Sequence, residues 1–236
     1  MSKDMLFQVK HLSAWYTKDN KVLEDFNIEL GKHEVVGLIG LNGAGKTTFM
    51  KTVAGLLSTY QIEEAVFAGK QIGFRDNAFK KKRYAVFAEE HSFQYFTFKE
   101  YINYVADSYG KELTGLEQLI QGFRFEEYTD VLLKELSTGN LKKAYLITAF
   151  ALKPELLFLD EPVNGLDFQS TEYLYQLMEE YKNHGTLLFS SHILESISLT
   201  SDRVLVLENG QIKKVFEKEE IIAQNIREAL SKDESI

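Results

Sequence analysis

Residues 40–48 read GLNGAGKTT, and the types and spacing of these residues suit phosphate binding. The three glycines allow the backbone to curl so that successive N–H groups point inward at an anion. Lys46 is placed to reach the β- and γ-phosphates, Thr47 to offer a hydroxyl to Mg²⁺, and Thr48 to donate to a phosphate oxygen. The alternative is a glycine-rich surface turn with an exposed lysine. The residues predicted to contact phosphate are Asn42, Gly43, Ala44, Gly45, Lys46, Thr47 and Thr48.

The segments on either side favour the phosphate-binding interpretation. Residues 35–39 form a short apolar run typical of a buried strand, and apolar residues recur at helical spacing from 49 to 57. A strand, a glycine loop and then a helix is the context that this motif requires. The predicted helix, residues 46–57, would also point its positive dipole end at the anion.

A second candidate lies at 156–162, where the apolar run LLFL is followed by Asp160, Glu161 and Pro162. Two carboxylates at the end of a buried strand cost free energy unless they meet a cation or water there. We therefore expect Asp160 to join the shell of a Mg²⁺ ion and Glu161 to orient or deprotonate an attacking water. The alternative is a polar strand end at the surface.

Three further positions carry weaker signals. Tyr16 follows a predicted strand, and its ring could stack on a purine base. His192 ends the apolar run 186–191, and its imidazole could contact a γ-phosphate. Ser137 and Gly139 stand at the start of a predicted helix, where a small polar residue and a glycine form a second, weaker anion site. Each of these also has an ordinary structural explanation.

The remaining pattern predicts an α/β fold. Residues 5–12 and 22–30 read as two antiparallel strands joined by the turn 18–21, and Asn209-Gly210 marks a hairpin between 203–208 and 211–216. Short strands are predicted at 65–68, 72–74 and 84–88, and helices are predicted over most of 97–135, at 168–182 and at 218–230. The stretch of about 91–136 is therefore predicted to be a helical lobe inserted into the strand–helix core.

Composition limits the class of protein. The 236 residues carry a net charge of −8 and include no cysteine, which fits a cytosolic location and argues against a broad nucleic-acid surface. No apolar run approaches the length of a membrane span, and the N-terminus has no signal-peptide pattern. The basic cluster KKKR at 80–83 is interpreted as a solvated turn rather than a nucleic-acid patch.

Taken together, these stretches resemble the ATP-binding cassette of ABC transporters over nearly the whole chain. The matching motifs are the adenine-stacking Tyr16, the Walker A loop at 40–48, a Q-loop position at Glu89, the signature at 136–140, Walker B with the catalytic glutamate at 156–161, the D-loop at 164–167 and the switch histidine His192. Any one of these motifs is modest by itself, whereas all of them in this order are highly specific.

The resemblance implies a P-loop NTPase with a RecA-like core, an antiparallel β subdomain and an inserted α-helical subdomain, all in one ABC ATP-binding domain of residues 1–236. It implies an ATPase that binds ATP and Mg²⁺, with Lys46, Glu161 and His192 as catalytic residues. Tyr16, Ser137 and Gly139 would bind nucleotide, and Thr47, Glu89 and Asp160 would hold the metal.

The resemblance also implies partners and a location. Two cassettes, identical or not, would close head to tail, so that the signature of one meets the ATP of the other. A separate membrane permease would take up this motion through the helical lobe and the loop after Glu89, and the chain would sit on the cytoplasmic face of the membrane. The rival interpretation is a soluble ABC ATPase of a non-transport complex, such as iron–sulfur cluster assembly.

Two residues depart from the family pattern. Thr138 replaces a usual glycine, and its Cβ would limit how closely the backbone approaches a γ-phosphate. Glu89 stands where glutamine is usual, with Glu90 beside it, and a carboxylate there would hold Mg²⁺ more strongly while facing the charge of the γ-phosphate. Family members that export lantibiotics resemble this chain in having glutamate there, which points to export of peptides or antimicrobials. A third interpretation, suggested by these two residues, is an ATP-binding regulator that does not hydrolyse.

Overall fold

The computed structural model describes residues 4–17, 20–88 and 92–231. The strands in this part of the chain are β1 (Met5–Thr17), β2 (Asn20–Gly31), β3 (Val35–Ile39), β4 (Tyr60–Gln61), β5 (Glu64–Phe67), β6 (Lys70–Gln71), β7 (Arg83–Val86), β8 (Leu156–Asp160), β9 (Thr186–Ser191), β10 (Arg203–Glu208) and β11 (Gln211–Glu217). The α-helices are α1 (Lys46–Val53), α2 (Asn77–Lys80), α3 (Phe98–Tyr109), α4 (Leu116–Gly122), α5 (Thr138–Leu152), α6 (Phe168–Tyr181), α7 (Leu194–Thr200) and α8 (Ala223–Ser231). Among the described residues, no helix is both long and apolar enough to cross a bilayer.

Two sheets organise the described chain. The first is antiparallel, in the order β2-β1-β5-β6, with β4 pairing on β1. The second has six strands in the order β11-β10-β3-β9-β8-β7, and its strands pair in parallel except for the β10–β11 hairpin. The ends of β3, β8 and β9 therefore lie side by side at one edge, which is where ligands bind in open α/β sheets.

Side-chain alternation along the central strands divides the hydrophobic core in two. Leu157 and Leu159 of β8 pack with the helices that follow, whereas Leu156 and Phe158 face α1 and the antiparallel sheet. Both faces of β8 are thus covered, which explains its uninterrupted apolar run. The strand cannot shift along its neighbours by one residue without exchanging these two sets, so the position of Asp160 at its end is well specified.

The predicted helical lobe contains α3 and α4 with short 3-10 turns. A capping box formed by Thr97 and Glu100 begins α3, and Gly110 ends it in the left-handed conformation. The predicted aromatic side chains are partly core, because Phe98 and Tyr101 are buried, and partly exposed, as at Tyr104. The boundaries of the lobe at about 91–136 and the extent of the domain, 1–236, stay predictions.

Several sequence predictions are corrected by the structure. The strand predicted at 72–74 is wrong, because β6 occupies Lys70–Gln71 and Gly73 enters a turn in which its N–H donates to Asp76 Oδ2 at 2.6 Å. Helix α7 was not predicted, and the last helix begins at Ala223 rather than at 218. The turn residues Lys18 and Asp19 lie outside the described residues.

The basic cluster at 80–83 was interpreted as solvated throughout, and this is wrong at its last residue. Lys80, Lys81 and Lys82 are exposed, but only 3% of Arg83 is exposed. The guanidinium of Arg83 stacks on Phe79, with 4.3 Å between its carbon and the ring centroid. Arg83 is the first residue of β7, whose pairing with β8 carries it into the interior.

Candidate active site

The loop between β3 and α1 has the backbone shape of an anion cradle. Gly43 and Gly45 have φ of 84° and 111°, which L side chains rarely adopt. A Cβ on Gly45 would also lie 2.6 Å from Leu23 Cδ2, so glycine is required there for space as well. No side chain caps the start of α1, which leaves its first N–H groups available to an anion.

Lys46 is buried at the first position of α1 and turns back onto its own loop. Its Nζ donates to the backbone oxygens of Gly40 at 2.7 Å and Leu41 at 3.3 Å. Burial lowers the pKa of Lys46, while the nearby charges of Glu161 and Asp160 act in the opposite direction. The ammonium is therefore held at the loop by neutral carbonyls, for which phosphate oxygens would be stronger replacements.

Asp160 joins the phosphate loop to the neighbouring strand. Its Oδ2 accepts from Thr47 Oγ1 at 2.8 Å, and its Oδ1 accepts from Ser190 Oγ at 2.6 Å. Only 2% of Asp160 is exposed, so these two bonds offset much of the cost of burying the carboxylate. The predicted pairing of Thr47 and Asp160 is thus present in the geometry.

Glu161 follows directly and faces His192. Its Oε2 lies 2.8 Å from His192 Nδ1, and its backbone N–H donates to Ser190 Oγ at 2.9 Å. Glu161 has φ of 47°, a left-handed conformation that costs free energy for a residue with a side chain. Strain of this kind is common where a side chain must be aimed at a reacting group, which agrees with the predicted role of Glu161.

One pocket of about 610 Å³ brings most of the predicted residues together. The aromatic ring of Tyr16, half exposed, stands at the end of the pocket formed by β1 and β2. The predicted residues that line the pocket are Tyr16, Asn42, Gly43, Ala44, Gly45, Lys46, Thr47, Thr48, Asp160 and Glu161. This arrangement places an aromatic face, a phosphate cradle and two carboxylates in the order in which a nucleotide presents its base, phosphates and metal.

The predicted signature residues do not line this pocket. Ser137 caps α5, since its Oγ accepts from the N–H of Asn140 at 3.3 Å. Gly139 lies against the turn before α6, where an added Cβ would be 2.5 Å from the backbone oxygen of Gly165. His192 also lies outside the lining of the pocket and touches it through Glu161. The predicted metal ligand Glu89 lies outside the described residues.

Sequence reasoning missed two contributors to the site. Ser190 is buried and positions both acids, but a serine inside a strand carries no distinctive pattern. The turn of the β10–β11 hairpin also lines the pocket with Asn209 and Gly210, and Gly210 donates its N–H to Ala44 O at 3.1 Å. The Asn-Gly signal predicted the hairpin, but nothing local indicated that its tip would support the phosphate loop.

The oxygen donors present fit Mg²⁺. Mg²⁺ is usually held by one or two carboxylates together with substrate phosphates and water, and not by a protein cage. The hydroxyl of Thr47 and the carboxylate of Asp160 lie 2.8 Å apart beside the phosphate cradle. Among the described residues, no cluster of three or more His, Cys, Asp or Glu forms a metal cage. The fold and site thus define a P-loop nucleotide-binding protein.

Comparisons with known proteins identify the family. A sequence model described as ABC transporter matches residues 23–164, and the chain belongs to this family. A putative ABC transporter ATP-binding protein, AlbC of Bacillus subtilis, is 37% identical over 224 residues, which cover 89% of this chain and 91% of the relative. The ABC-type transporter ATP-binding protein EcsA of the same organism is 31% identical and covers 88% of this chain and 85% of the relative.

Solved structures agree. The ATP-binding subunit of an ABC transporter superimposes with a TM-score of 0.82 at 30% identity and covers 97% of each chain. The ADP conformation of another ATP-binding cassette, at 21% identity, shows the same fold with a TM-score of 0.74 over 98% of this chain and 96% of that one. The predicted α/β P-loop fold is confirmed, and the chain is an ATPase of the ABC transporter family.

Proposed function

We propose that this chain binds ATP with Mg²⁺ and hydrolyses it to drive a separate membrane permease. The observation that supports this most is the meeting of the phosphate loop, the Thr47–Asp160 pair and the Glu161–His192 pair around one pocket. Each pair links an element of the core to a different strand end. A change at the nucleotide would therefore be felt by several elements at once.

The proposed mechanism assigns each side chain a step. Tyr16 stacks on the base, and Lys46 leaves the carbonyls of its loop to bind phosphate oxygens. Glu161 orients a water molecule for in-line attack and accepts its proton, while His192 holds the carboxylate in position. Thr47 and Asp160, with Glu89 as the predicted third ligand, would hold Mg²⁺, which neutralises charge on the phosphates.

A second cassette would complete the site. Ser137 and Gly139 lie outside the nucleotide pocket of their own chain, as a head-to-tail pairing requires. Gly139 would approach a phosphate of the partner's nucleotide with its backbone, and the cap of α5 by Ser137 would present the same helix end. We propose a dimer of cassettes, identical or paired with a related chain.

The permease and the cargo belong to the same proposal. We place the chain on the cytoplasmic face of the membrane, bound to the permease through the helical lobe and the segment around Glu89. Export of a peptide or antimicrobial is supported only by the glutamate at position 89. If the proposal is right, disruption of the gene in the source organism increases sensitivity to antimicrobial peptides, and unchanged sensitivity to a broad panel would contradict this cargo.

Phosphate release by the purified chain tests the enzyme assignment. Glu161→Gln keeps the shape of the side chain but removes the base, so we expect ATP binding to persist while turnover falls at least about a hundredfold. Glu179→Gln, an exposed change on α6, serves as a matched control and should leave turnover unaltered. Hydrolysis by Glu161→Gln near the wild-type rate would place the base elsewhere. Co-purification with a soluble complex instead of a membrane permease would contradict the transport assignment.

A further inference from the structure

We propose that the cleft between the helical lobe and the core binds a segment of the partner permease that carries carboxylate side chains. We call it the basic cleft and define it by Lys80, Lys81, Arg83, Phe93 and Tyr104. This inference rests on the proposed function, because it names the chemistry by which the permease is recognised. It goes further in predicting the sign of the partner's charge.

The basic cleft has an apolar lining that is open to solvent. Its volume is about 440 Å³, and aromatic rings from β7 and α3 form much of its wall. Phe93 and Tyr104 remain 38% and 50% exposed, and Leu56 at the rim is 65% exposed. Large side chains left in water around a concavity mark a contact with another molecule.

The charges at the rim all have one sign. Lys80 and Lys81 are exposed, and neither forms an ion pair with any described residue, whereas Lys82 beside them pairs with Glu155. The described residues that line the cleft include no Asp or Glu. The whole chain has a net charge of −8, so a cationic rim without acidic partners is a local exception.

Arg83 adds a buried positive charge beneath this rim. Its Nη2 donates to Phe74 O at 2.6 Å, but Nη1 is buried and has no hydrogen-bond partner. Burial lowers the pKa of Arg83 to about 10, so the group remains protonated at neutral pH. A buried cation with no carboxylate beside it is costly, and an anion arriving at the cleft would relieve that cost.

The shape favours a protein segment over a lipid surface. A bilayer is flat on this scale and would meet Lys80 and Lys81 but not the recessed aromatic walls. A helix with apolar side chains on one face and carboxylates at its edge satisfies both the lining and the rim. Anionic lipid is therefore the outcome that the experiment must separate.

Designed peptides test the sign of the charge without the permease. We would prepare amphipathic helical peptides of about 15 residues, the length at which helices become stable in water, with a Leu and Phe face. Three versions carry Glu, Gln or Lys at the same two edge positions. We expect the wild-type chain to bind the Glu peptide about tenfold more tightly than the Gln peptide in fluorescence anisotropy, with the difference shrinking at high salt.

Charge reversal supplies the decisive comparison. The double variant Lys80→Glu with Lys81→Glu should lose the preference for the Glu peptide and favour the Lys peptide. The double variant Lys213→Glu with Lys214→Glu makes the same change in net charge on exposed positions of β11 and should behave as wild type. Thermal unfolding of each variant checks that the fold is intact.

Three outcomes would overturn the proposal. These are equal binding of all three peptides, a preference that both double variants lose alike, and binding to anionic phosphatidylglycerol vesicles without selectivity among the peptides. Because Lys80 and Lys81 lie outside the nucleotide pocket, phosphate release should persist in their double variant. Loss of charge selectivity with intact hydrolysis would refute the basic cleft alone, whereas a wild-type chain that does not hydrolyse ATP would refute the proposed function.

Discussion

At the scale of single residues, the site depends on how two adjacent acids are stabilised. Asp160 is buried and bonded by Thr47 and Ser190, while Glu161 is held by its backbone bond to Ser190 and by His192. Ser190 is the residue that both acids share. One hydroxyl thus sets the relative position of the proposed metal ligand and the proposed base.

Ser190→Ala should reduce both stability and turnover. Removal of the hydroxyl leaves an oxygen of buried Asp160 without its donor and costs about 1–3 kcal/mol of unfolding free energy. It also frees Glu161, so kcat should fall while KM for ATP changes little. Denaturant unfolding and phosphate release measure the two effects. Ser198→Ala, which removes only a bond within α7, is the control, and an unaltered kcat in Ser190→Ala would show that Ser190 does not position the acids.

Lys46→Ala should weaken nucleotide binding. The side chain lies in the phosphate cradle, and a charge-assisted bond to phosphate is stronger than its present bonds to carbonyls. We expect the affinity for ATP to fall roughly ten- to a hundredfold in equilibrium binding. Lys70→Ala, an exposed change on β6, should bind normally. Equal affinities of the two variants would remove Lys46 from the nucleotide site.

At the scale of elements, the start of α5 is tied to the start of α6. Lys143 Nζ contacts Asp167 Oδ2 at 2.7 Å, and Asp167 also caps α6 by accepting from Ser170 N at 3.0 Å. The contact of Gly139 with Gly165 runs parallel to this link. The helix that bears the signature and the turn after Walker B should therefore move as a unit.

Asp167→Asn should destabilise the protein at neutral pH but not in acid. The hydrogen bonds from Lys143 and Ser170 hold the pKa of Asp167 well below its usual range. The folded state therefore binds its proton more weakly than the unfolded state, and the stabilisation present above about pH 4 is lost as the pH falls. Asparagine still caps a helix, so the change isolates the charge.

Thermal unfolding across pH measures this effect. Asp167 is half exposed, so solvent screening limits the loss to about 1 kcal/mol near pH 7. The difference in Tm between wild type and Asp167→Asn should shrink toward about pH 3. Glu172→Gln, an exposed acid on the same helix, should show no such trend. A constant Tm difference at both pH values would mean that the ion pair contributes no stability.

At the scale of the whole molecule, the proposed active site is divided between two chains. The nucleotide pocket holds the phosphate loop and both acids, whereas Ser137 and Gly139 face elsewhere. The basic cleft lies between lobe and core, so the pocket, the signature and the proposed permease contact occupy separate surfaces. Closure of two cassettes could in this way be transmitted to a third partner.

Mixed dimers test the shared site. Lys46→Ala and Ser137→Ala should each be inactive by themselves, but a dimer of one copy of each contains one intact composite site. Random mixing should restore about a quarter of wild-type phosphate release, since half of the dimers are mixed and each has one working site. Two Lys46→Ala preparations mixed together are the control. If mixing the two different variants restores nothing beyond their sum, the site is not shared in this way.

Local patterns in the sequence predicted the parts of the site that are contiguous in the chain. The glycine loop, the helix after it and the acids at the end of β8 each depend on neighbours a few residues away, and the expected pocket lining at Tyr16 and Lys46 followed from them. Short elements were harder. Helix α7 has no side-chain cap and is rich in serine and β-branched residues, so its packing and not its propensity makes it helical.

Only the tertiary structure decided which distant residues share a partner. Ser190 and Asp160 are 30 positions apart, and the parallel pairing of β8 with β9 brings them within hydrogen-bonding distance. The same holds for Arg83, which looked like the last residue of a solvated basic run until β7 paired with β8. A sequence determines hydrophobic period, turn chemistry and motif order by itself. Burial and pairing depend on how strands align in space, because a one-residue shift in register exchanges inside for outside.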